Sequence, residues 1–154
     1  MNNTALGASN KKVLFISDAH EKFYNENMKK VRFRDVYHEA LIYCLGINAD
    51  VRNHISEVFD FKNGGVLPES LHAEWQTSGS SKVVRIAFNL FCNGMPSINS
   101  CTNIEEMLEE SSYYSVEDIF CSEYAPFFWQ AIQIRYPEYA TYNFKLKQLF
   151  GGED

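Results

Sequence analysis

The chain has 154 residues, of which 20 are acidic and 14 basic, so its formal net charge at pH 7 is −6. This length fits one domain with a hydrophobic core, and an aromatic content of 15% excludes a chain that is disordered throughout. The negative charge argues against a protein whose main role is to coat DNA or an anionic membrane, because neutralising phosphates requires a basic surface.

The start of the chain lacks the pattern of a secretory signal. Its apolar run covers only Val13 to Ile16, whereas such a signal needs about 7–15 apolar residues and a membrane span needs roughly 18. The same run is the one clear candidate for a β-strand. The chain has four cysteines, none of them in a closely spaced pair: Cys44, Cys92, Cys101 and Cys121. We therefore expect free thiols and a cytoplasmic protein.

Residues 1–12 are mostly small and polar and predict a flexible N-terminal tail. The first helix is expected to begin at Ser17 or Asp18, because Asp18 followed by Glu21 has the spacing of a capping box. This helix is predicted to extend to about Lys30.

Two further helices are expected in the first half of the chain. Segment 34–45 carries apolar residues at helical spacing, and Gly46 follows it where a left-handed C-terminal cap is expected. Asn48 can cap a third helix that turns Val51 and Phe59 inward.

The middle of the chain contains the clearest helix signal. After a break at Asn63–Gly65, Pro68 starts a short helical turn. The polar loop 76–81 then leads into segment 81–92, whose apolar face is broad. Such a width predicts a central and mostly buried helix.

Segment 95–114 is the least core-like part of the chain and predicts an acidic insertion on the surface. Within it, Thr102 and Glu105 have capping-box spacing and predict a short acidic helix. Ser115 and Asp118 repeat that spacing and predict another short helix after the insertion.

The last predicted helix starts near Pro126 and ends at Pro137. Together these elements predict an all-α fold, a compact single-domain bundle of six or seven helices around segment 81–92. The helical domain is expected to cover residues 13–150.

The histidines are distributed one per early element and do not predict a metal site. The chain lacks a His-x-x-x-His pair and the paired Glu-x-x-His motifs of di-iron proteins. We expect surface or capping histidines, with no metal and no cofactor. A Gly-x-Ser-x-Gly elbow is also absent, so no catalytic residue is assigned and an enzyme is disfavoured.

The polar loop after Trp75 is the sharpest local feature of the sequence. Its hydroxyls and glycine expose backbone N–H groups at a helix N-terminus, where the dipole favours an anion. Lys82 and Arg85 follow in the first turn, although the Walker spacing is absent. In a structural alternative, Thr77 or Ser78 caps the helix and Arg85 pairs with an internal carboxylate. The residues that could bind an anion or a partner are Trp75, Gln76, Thr77, Ser78, Ser80, Lys82 and Arg85.

A second set of candidates combines acidic and aromatic side chains. The glutamates belong to the predicted surface helix, where a solvated face is the alternative. The aromatic residues suit an interface because they join apolar area to a polar tip, and core packing is their alternative. The interface candidates are Glu105, Glu106, Glu109, Glu110, Tyr113, Tyr114, Phe127 and Trp129.

Three motifs of the sequence are similar to those of a known family. They are Asp35–His38, the segment Glu74-Trp75-Gln76-Thr77 continuing to Arg85-Ile86-Ala87-Phe88-Asn89-Leu90, and Tyr124–Trp129 with Arg135–Tyr139. They resemble a bacterial domain family of unknown function that is also found in phages and conjugative elements. The similarity extends over about residues 15–142, and segment 95–114 resembles an insertion relative to shorter members. The resemblance implies a small accessory protein of mobile DNA in a bacterial cytoplasm, and it implies no activity.

The charge and this context together suggest a function. An acidic surface can occupy a basic nucleic-acid groove, so the leading hypothesis is a non-enzymatic protein that binds a host or element-encoded protein and inhibits a host defence nuclease complex. The alternative is a protein, or an enzyme, that binds a small anion or nucleotide through loop 76–85. Direct DNA binding is not expected, because no predicted helix is basic along one face.

Overall fold

The computed structural model describes residues 12–140, which form α-helices, two 3₁₀ turns and one small hairpin and so confirm the all-α class. Of the predicted N-terminal tail, only Lys12 belongs to the described residues. Residues 141–150 of the predicted domain also lie outside them. The α-helices are α1 (Asp18–Met28), α2 (Val36–Leu45), α3 (Ala49–Asn53), α4 (Ile55–Val58), α5 (Ser78–Cys92), α6 (Ile104–Ser112), α7 (Val116–Phe120), α8 (Ala125–Arg135) and α9 (Pro137–Ala140). The 3₁₀ turns are Pro68–His72 and Pro96–Ser100.

Helices α2 and α5 form the centre of the core. Every residue from Ala40 to Leu45 of α2 is fully buried, and α2 packs against both α5 and α8. α5 has the broad buried face that its sequence predicts. α8, which packs against α2, contributes the fully buried Phe128 to the same core. The fully buried apolar residues of α5 are Val83, Val84, Ala87 and Phe88. Removing this apolar surface from water is the main source of stability.

The prediction that Gly46 adopts a left-handed conformation is wrong. Its φ is −80°, in the right-handed helical region. A Cβ at this position would lie 2.6 Å from Cδ2 of His20 and 2.8 Å from Cδ1 of Phe23. Glycine is therefore needed because α1 approaches the end of α2 closely, and not because of its backbone freedom.

We expect Gly46→Ala to lower the free energy of unfolding by about 2 kcal/mol, since the added methyl group forces buried rings to move. Gly65→Ala is the matched control, because a Cβ at Gly65 has no atom within 4 Å. Urea unfolding followed by circular dichroism measures both changes. Equal effects at the two positions would contradict the close-approach explanation.

The third predicted helix is interrupted, and this part of the prediction is wrong. α3 ends at Asn53, because the φ of −119° and ψ of 25° of the next residue, His54, leave the helical region, and α4 follows as a single turn. Phe59 then enters strand β1 (Phe59–Asp60), which pairs antiparallel with β2 (Gly65–Val66). The turn forms because the Asp60 carboxylate accepts the N–H groups of the following residues and Gly64 supplies a φ of 72°.

Segment Val13–Ile16 is not a strand, contrary to the expectation. Its residues Val13 and Phe15 pack against the core, while the Leu14 N–H donates to Oε1 of Gln130 in α8 at 3.0 Å. Alternate residues of the run therefore cover the core, while Leu14 and Ile16 are exposed.

Two histidines are buried, so the expectation of surface or capping positions is wrong for them. His20 is fully buried, and its Nε2–H donates to the carbonyl of Tyr43 at 2.7 Å. His38 is also buried, and its Nδ1 lies 2.8 Å from Oδ1 of Asp35, the residue that caps α2. Each ring has polar partners, which is what allows a histidine inside the core.

Candidate functional site

Local hydrogen bonds explain why the acidic segment becomes helix α6. The cap is Asn103, one residue later than predicted, and its side chain accepts the N–H of Glu106 at 2.9 Å. The N–H and hydroxyl of Thr102 donate to Oε2 of Glu106 at 2.8 and 2.9 Å. These bonds from Thr102 lower the pKa of Glu106. A carboxylate in the first turn is also favoured by the helix dipole.

One face of α6 presents apolar side chains to water. The helix contains no buried residue, and Ile104 is 75% exposed while Leu108, one turn later, is 66% exposed. Glu105 and Glu109 follow these two residues by one position each and form a parallel acidic row on the exposed surface. The helix is therefore amphipathic, and its apolar row is uncovered by the part of the chain that the structure describes.

The other side of α6 is fixed to the core by an ion pair. Nε and Nη2 of Arg85 in α5 donate to the two carboxylate oxygens of Glu110 at 3.0 and 3.1 Å, and both side chains are 13% exposed. The hydroxyl of Ser97 donates to Oε1 of the same carboxylate at 2.7 Å. Such a bidentate pair in a largely desolvated position fixes the helix in one orientation.

Aromatic side chains complete this anchor. The guanidinium of Arg85 lies 4.6 Å from the ring centre of Tyr113, and the hydroxyls of Ser97 and Tyr114 are 2.5 Å apart. Burial is the main cause that raises the pKa of Tyr114, so its hydroxyl stays protonated. A cavity of about 350 Å³ lies beside the anchor and is lined by His72, Arg85, Ser97, Ser100, Cys101, Glu106, Glu109, Glu110 and Tyr113.

Comparison with known proteins places this chain in a family. The model of a family of unknown function, DUF6075, matches residues 10–148, which include the core and α6. The chain belongs to this family. Comparisons with curated proteins and with solved structures find no match.

In this DUF6075 chain, loop 76–81 is a helix cap. The Thr77 side chain accepts the N–H of Ser80 at 3.1 Å while the Ser80 hydroxyl accepts the N–H of Thr77 at 2.7 Å. This reciprocal pair starts α5 at Ser78, three positions before the predicted start at residue 81. Gln76 supports it, since its Oε1 accepts the Ser80 hydroxyl at 2.6 Å.

The two cations after this loop are directed away from it. Nζ of Lys82 donates to the carbonyls of Asp118 and Cys121, at 2.6 and 2.9 Å, at the end of α7. Arg85 pairs with Glu110, as the structural alternative for this loop predicts. Trp75 is half-buried and donates its Nε1–H to Oε2 of Glu57 at 2.8 Å. The geometry therefore favours a capped and braced helix start over an anion cradle.

The predicted aromatic pair in α8 is divided between the core and the surface. Phe127 is partly buried and packs against the core, whereas Trp129 is 57% exposed. The structure thus leaves Trp129 exposed on α8, apart from α6. Trp129 does not contact Arg85; the aromatic rings beside the Arg85 guanidinium are those of Tyr113 and Tyr114.

Sequence reasoning missed Ile104 and Leu108, which form the exposed apolar row. The available signal was their spacing of four inside a segment with four glutamates, but spacing alone does not tell an outward face from an inward one. Ser97 was also missed, because its role depends on Glu110 13 positions later.

The described part of the chain contains no cluster of three or more His, Cys, Asp or Glu side chains that could hold a metal ion. Burial raises the pKa of the Cys44 thiol, so this cysteine is unsuited to act as a nucleophile. Within residues 12–140, every helix is too short or too polar to span a bilayer.

Proposed function

We propose that the protein is a non-enzymatic accessory protein that acts by binding another protein through α6. The observation that carries this proposal is the uncovered apolar row of Ile104 and Leu108 on a helix whose opposite side is anchored by Glu110. Large aliphatic side chains one turn apart on an amphipathic helix are the usual anchors when such a helix binds a partner.

The proposed partner is a basic protein in the bacterial cytoplasm. The chain has a net charge of −6, and four of its glutamates lie in α6, which has no lysine or arginine. The resemblance to a family found in phages and conjugative elements supports a host defence nuclease complex as the target, because nucleic-acid-binding surfaces are basic. Blocking that surface would inhibit the nuclease.

The alternative, a small-anion or nucleotide site at loop 76–85, has less support. The Thr77 and Ser80 hydroxyls form the capping box of α5, and Lys82 and Arg85 donate to carbonyls and to a carboxylate instead of facing the loop. An anion there would have to displace these bonds.

We expect the double variant Ile104→Ala/Leu108→Ala to bind its partner about 30-fold more weakly, a loss of about 2 kcal/mol, because each truncation removes apolar area from the interface. Alanine preserves the helix, so the variant should keep the unfolding curve of the parent protein. Tagged protein incubated with nuclease-treated lysate at physiological salt captures the partner, and titration against that purified partner gives the affinity.

The matched control is Trp129→Ala, which removes an exposed apolar side chain from α8. It should leave the affinity within threefold of the parent protein. If Trp129→Ala abolishes binding while the α6 variant does not, the interface lies on α8. Absence of any partner that depends on either surface would refute the proposed function.

A further inference from the structure

We propose that the surface bound by α6 is a basic amphipathic helix, with an apolar stripe bordered by lysine or arginine. This inference rests on the proposed function and specifies the chemistry of the partner. It is drawn from the two parallel rows of the exposed face, the apolar row of Ile104 and Leu108 and the acidic row of Glu105 and Glu109.

Among the residues that the structure describes, no cation neutralises the acidic row of Glu105 and Glu109. Glu110 is neutralised by Arg85, but Glu105 and Glu109 form no ion pair with residues 12–140, and Glu109 accepts only the neutral hydroxyl of Tyr113 at 3.1 Å. Burying these carboxylates against an apolar or acidic surface would remove their hydration without replacement. A partner that supplies ammonium or guanidinium groups along this row satisfies them.

The spacing of the rows fits a second helix. Residues at i and i+4 form a ridge on a helix, and ridges of this type fit into the grooves of a neighbouring helix. Ile104 and Leu108 form such a ridge, and the acidic row lies about 100° further around the axis. A partner helix seated on the ridge would therefore place the residues bordering its apolar stripe beside Glu105 and Glu109.

Charge argues against the other occupants of this face. A second copy would bring two acidic rows, each of Glu105 and Glu109, into one interface between chains that each carry a net charge of −6. An anionic membrane or a nucleic acid would meet the same repulsion. The chain's own residues 141–154 include two basic side chains, Lys145 and Lys147. The test therefore includes a variant that reverses both charges, to ask whether this segment occupies the face.

The test is a selection from a display library of 20-residue helical peptides on the immobilised full chain, with Ile104→Ala/Leu108→Ala as counter-selection. Enriched peptides are expected to carry a net positive charge around an apolar stripe. Their affinity for Glu105→Gln/Glu109→Gln should be at least tenfold weaker at 50 mM salt, and the difference should shrink at 300 mM salt. Glu117→Gln/Glu123→Gln, which alters exposed glutamates outside α6, should bind as the parent does.

Each other outcome overturns the inference in a distinguishable way. Neutral or acidic peptides that still require Ile104 and Leu108 would refute the basic partner and leave the proposed function standing. Failure to enrich any peptide that depends on these two residues, while the lysate still yields a partner that depends on them, would refute the helical partner and leave the proposed function standing. If Lys145→Glu/Lys147→Glu strengthens peptide binding tenfold or more, the chain's own C-terminal segment is the occupant and the inference is wrong.

Discussion

Arg85→Ala is expected to lower the free energy of unfolding by about 3 kcal/mol. The substitution leaves the Glu110 carboxylate, which is 13% exposed, without the guanidinium that donates to both of its oxygens. Removing one partner of a largely buried ion pair costs about 3–5 kcal/mol, because the remaining charge is desolvated and unpaired. Ser97 still donates to this carboxylate, which places the expected loss at the low end.

Urea unfolding at pH 7 measures this loss, and the double variant Arg85→Met/Glu110→Leu is the informative comparison. An apolar pair of similar volume avoids the unpaired charge, so it should recover most of the lost stability. If Arg85→Ala unfolds like the parent protein and instead loses binding of inorganic phosphate, Arg85 belongs to an anion site and the anchor interpretation is wrong.

Several helix starts could be predicted from the sequence because a short side chain forms the cap, although the start of α6 was predicted one residue too early and that of α5 three residues too late. Ser17 caps α1 and Ser115 caps α7, in each case by accepting the N–H three residues later. These bonds depend only on local sequence, and hence the spacing of two polar residues is a sufficient signal. The interruption at His54 and the hairpin after Phe59 were missed, because tertiary packing of short segments overrides a helical periodicity of only a few residues.

Gly46 and Arg85 show where local reasoning ends. The glycine follows α2 as a helix cap would, but the atoms that require it belong to His20 and Phe23, more than 20 positions earlier. Arg85 was predicted to pair with an internal carboxylate, yet its partner Glu110 lies 25 positions away and was interpreted separately as an interface residue. The candidate site arises because the tertiary fold brings Arg85 and Glu110 together, a contact that the sequence does not reveal.

The stability of the protein is expected to fall by about 3 kcal/mol between pH 6.5 and pH 4 because of His20. Burial is the main cause that lowers the pKa of His20 to about 4 from the ordinary histidine value of 6.5, and the positive charge of Arg52 acts in the same direction. The geometry requires the neutral ring: Nε2–H donates to the carbonyl of Tyr43, so Nδ1 is left to accept the N–H of Ile16 at 3.3 Å. A proton on Nδ1 would point at the N–H of Ile16, so the protonated ring could not accept this hydrogen bond.

The sign follows from the two pKa values. Between pH 6.5 and pH 4 the unfolded chain binds a proton at His20 and the folded chain does not, so stability decreases as the pH falls through this range and levels off below it. His20→Gln keeps a donor for the Tyr43 carbonyl but does not titrate, so the difference between its urea midpoints and those of the parent isolates this contribution. If both proteins lose stability with the same slope, His20 is not the group responsible, and half-exposed carboxylates whose pKa is lowered by hydrogen bonds, such as Asp35, account for the acid sensitivity instead.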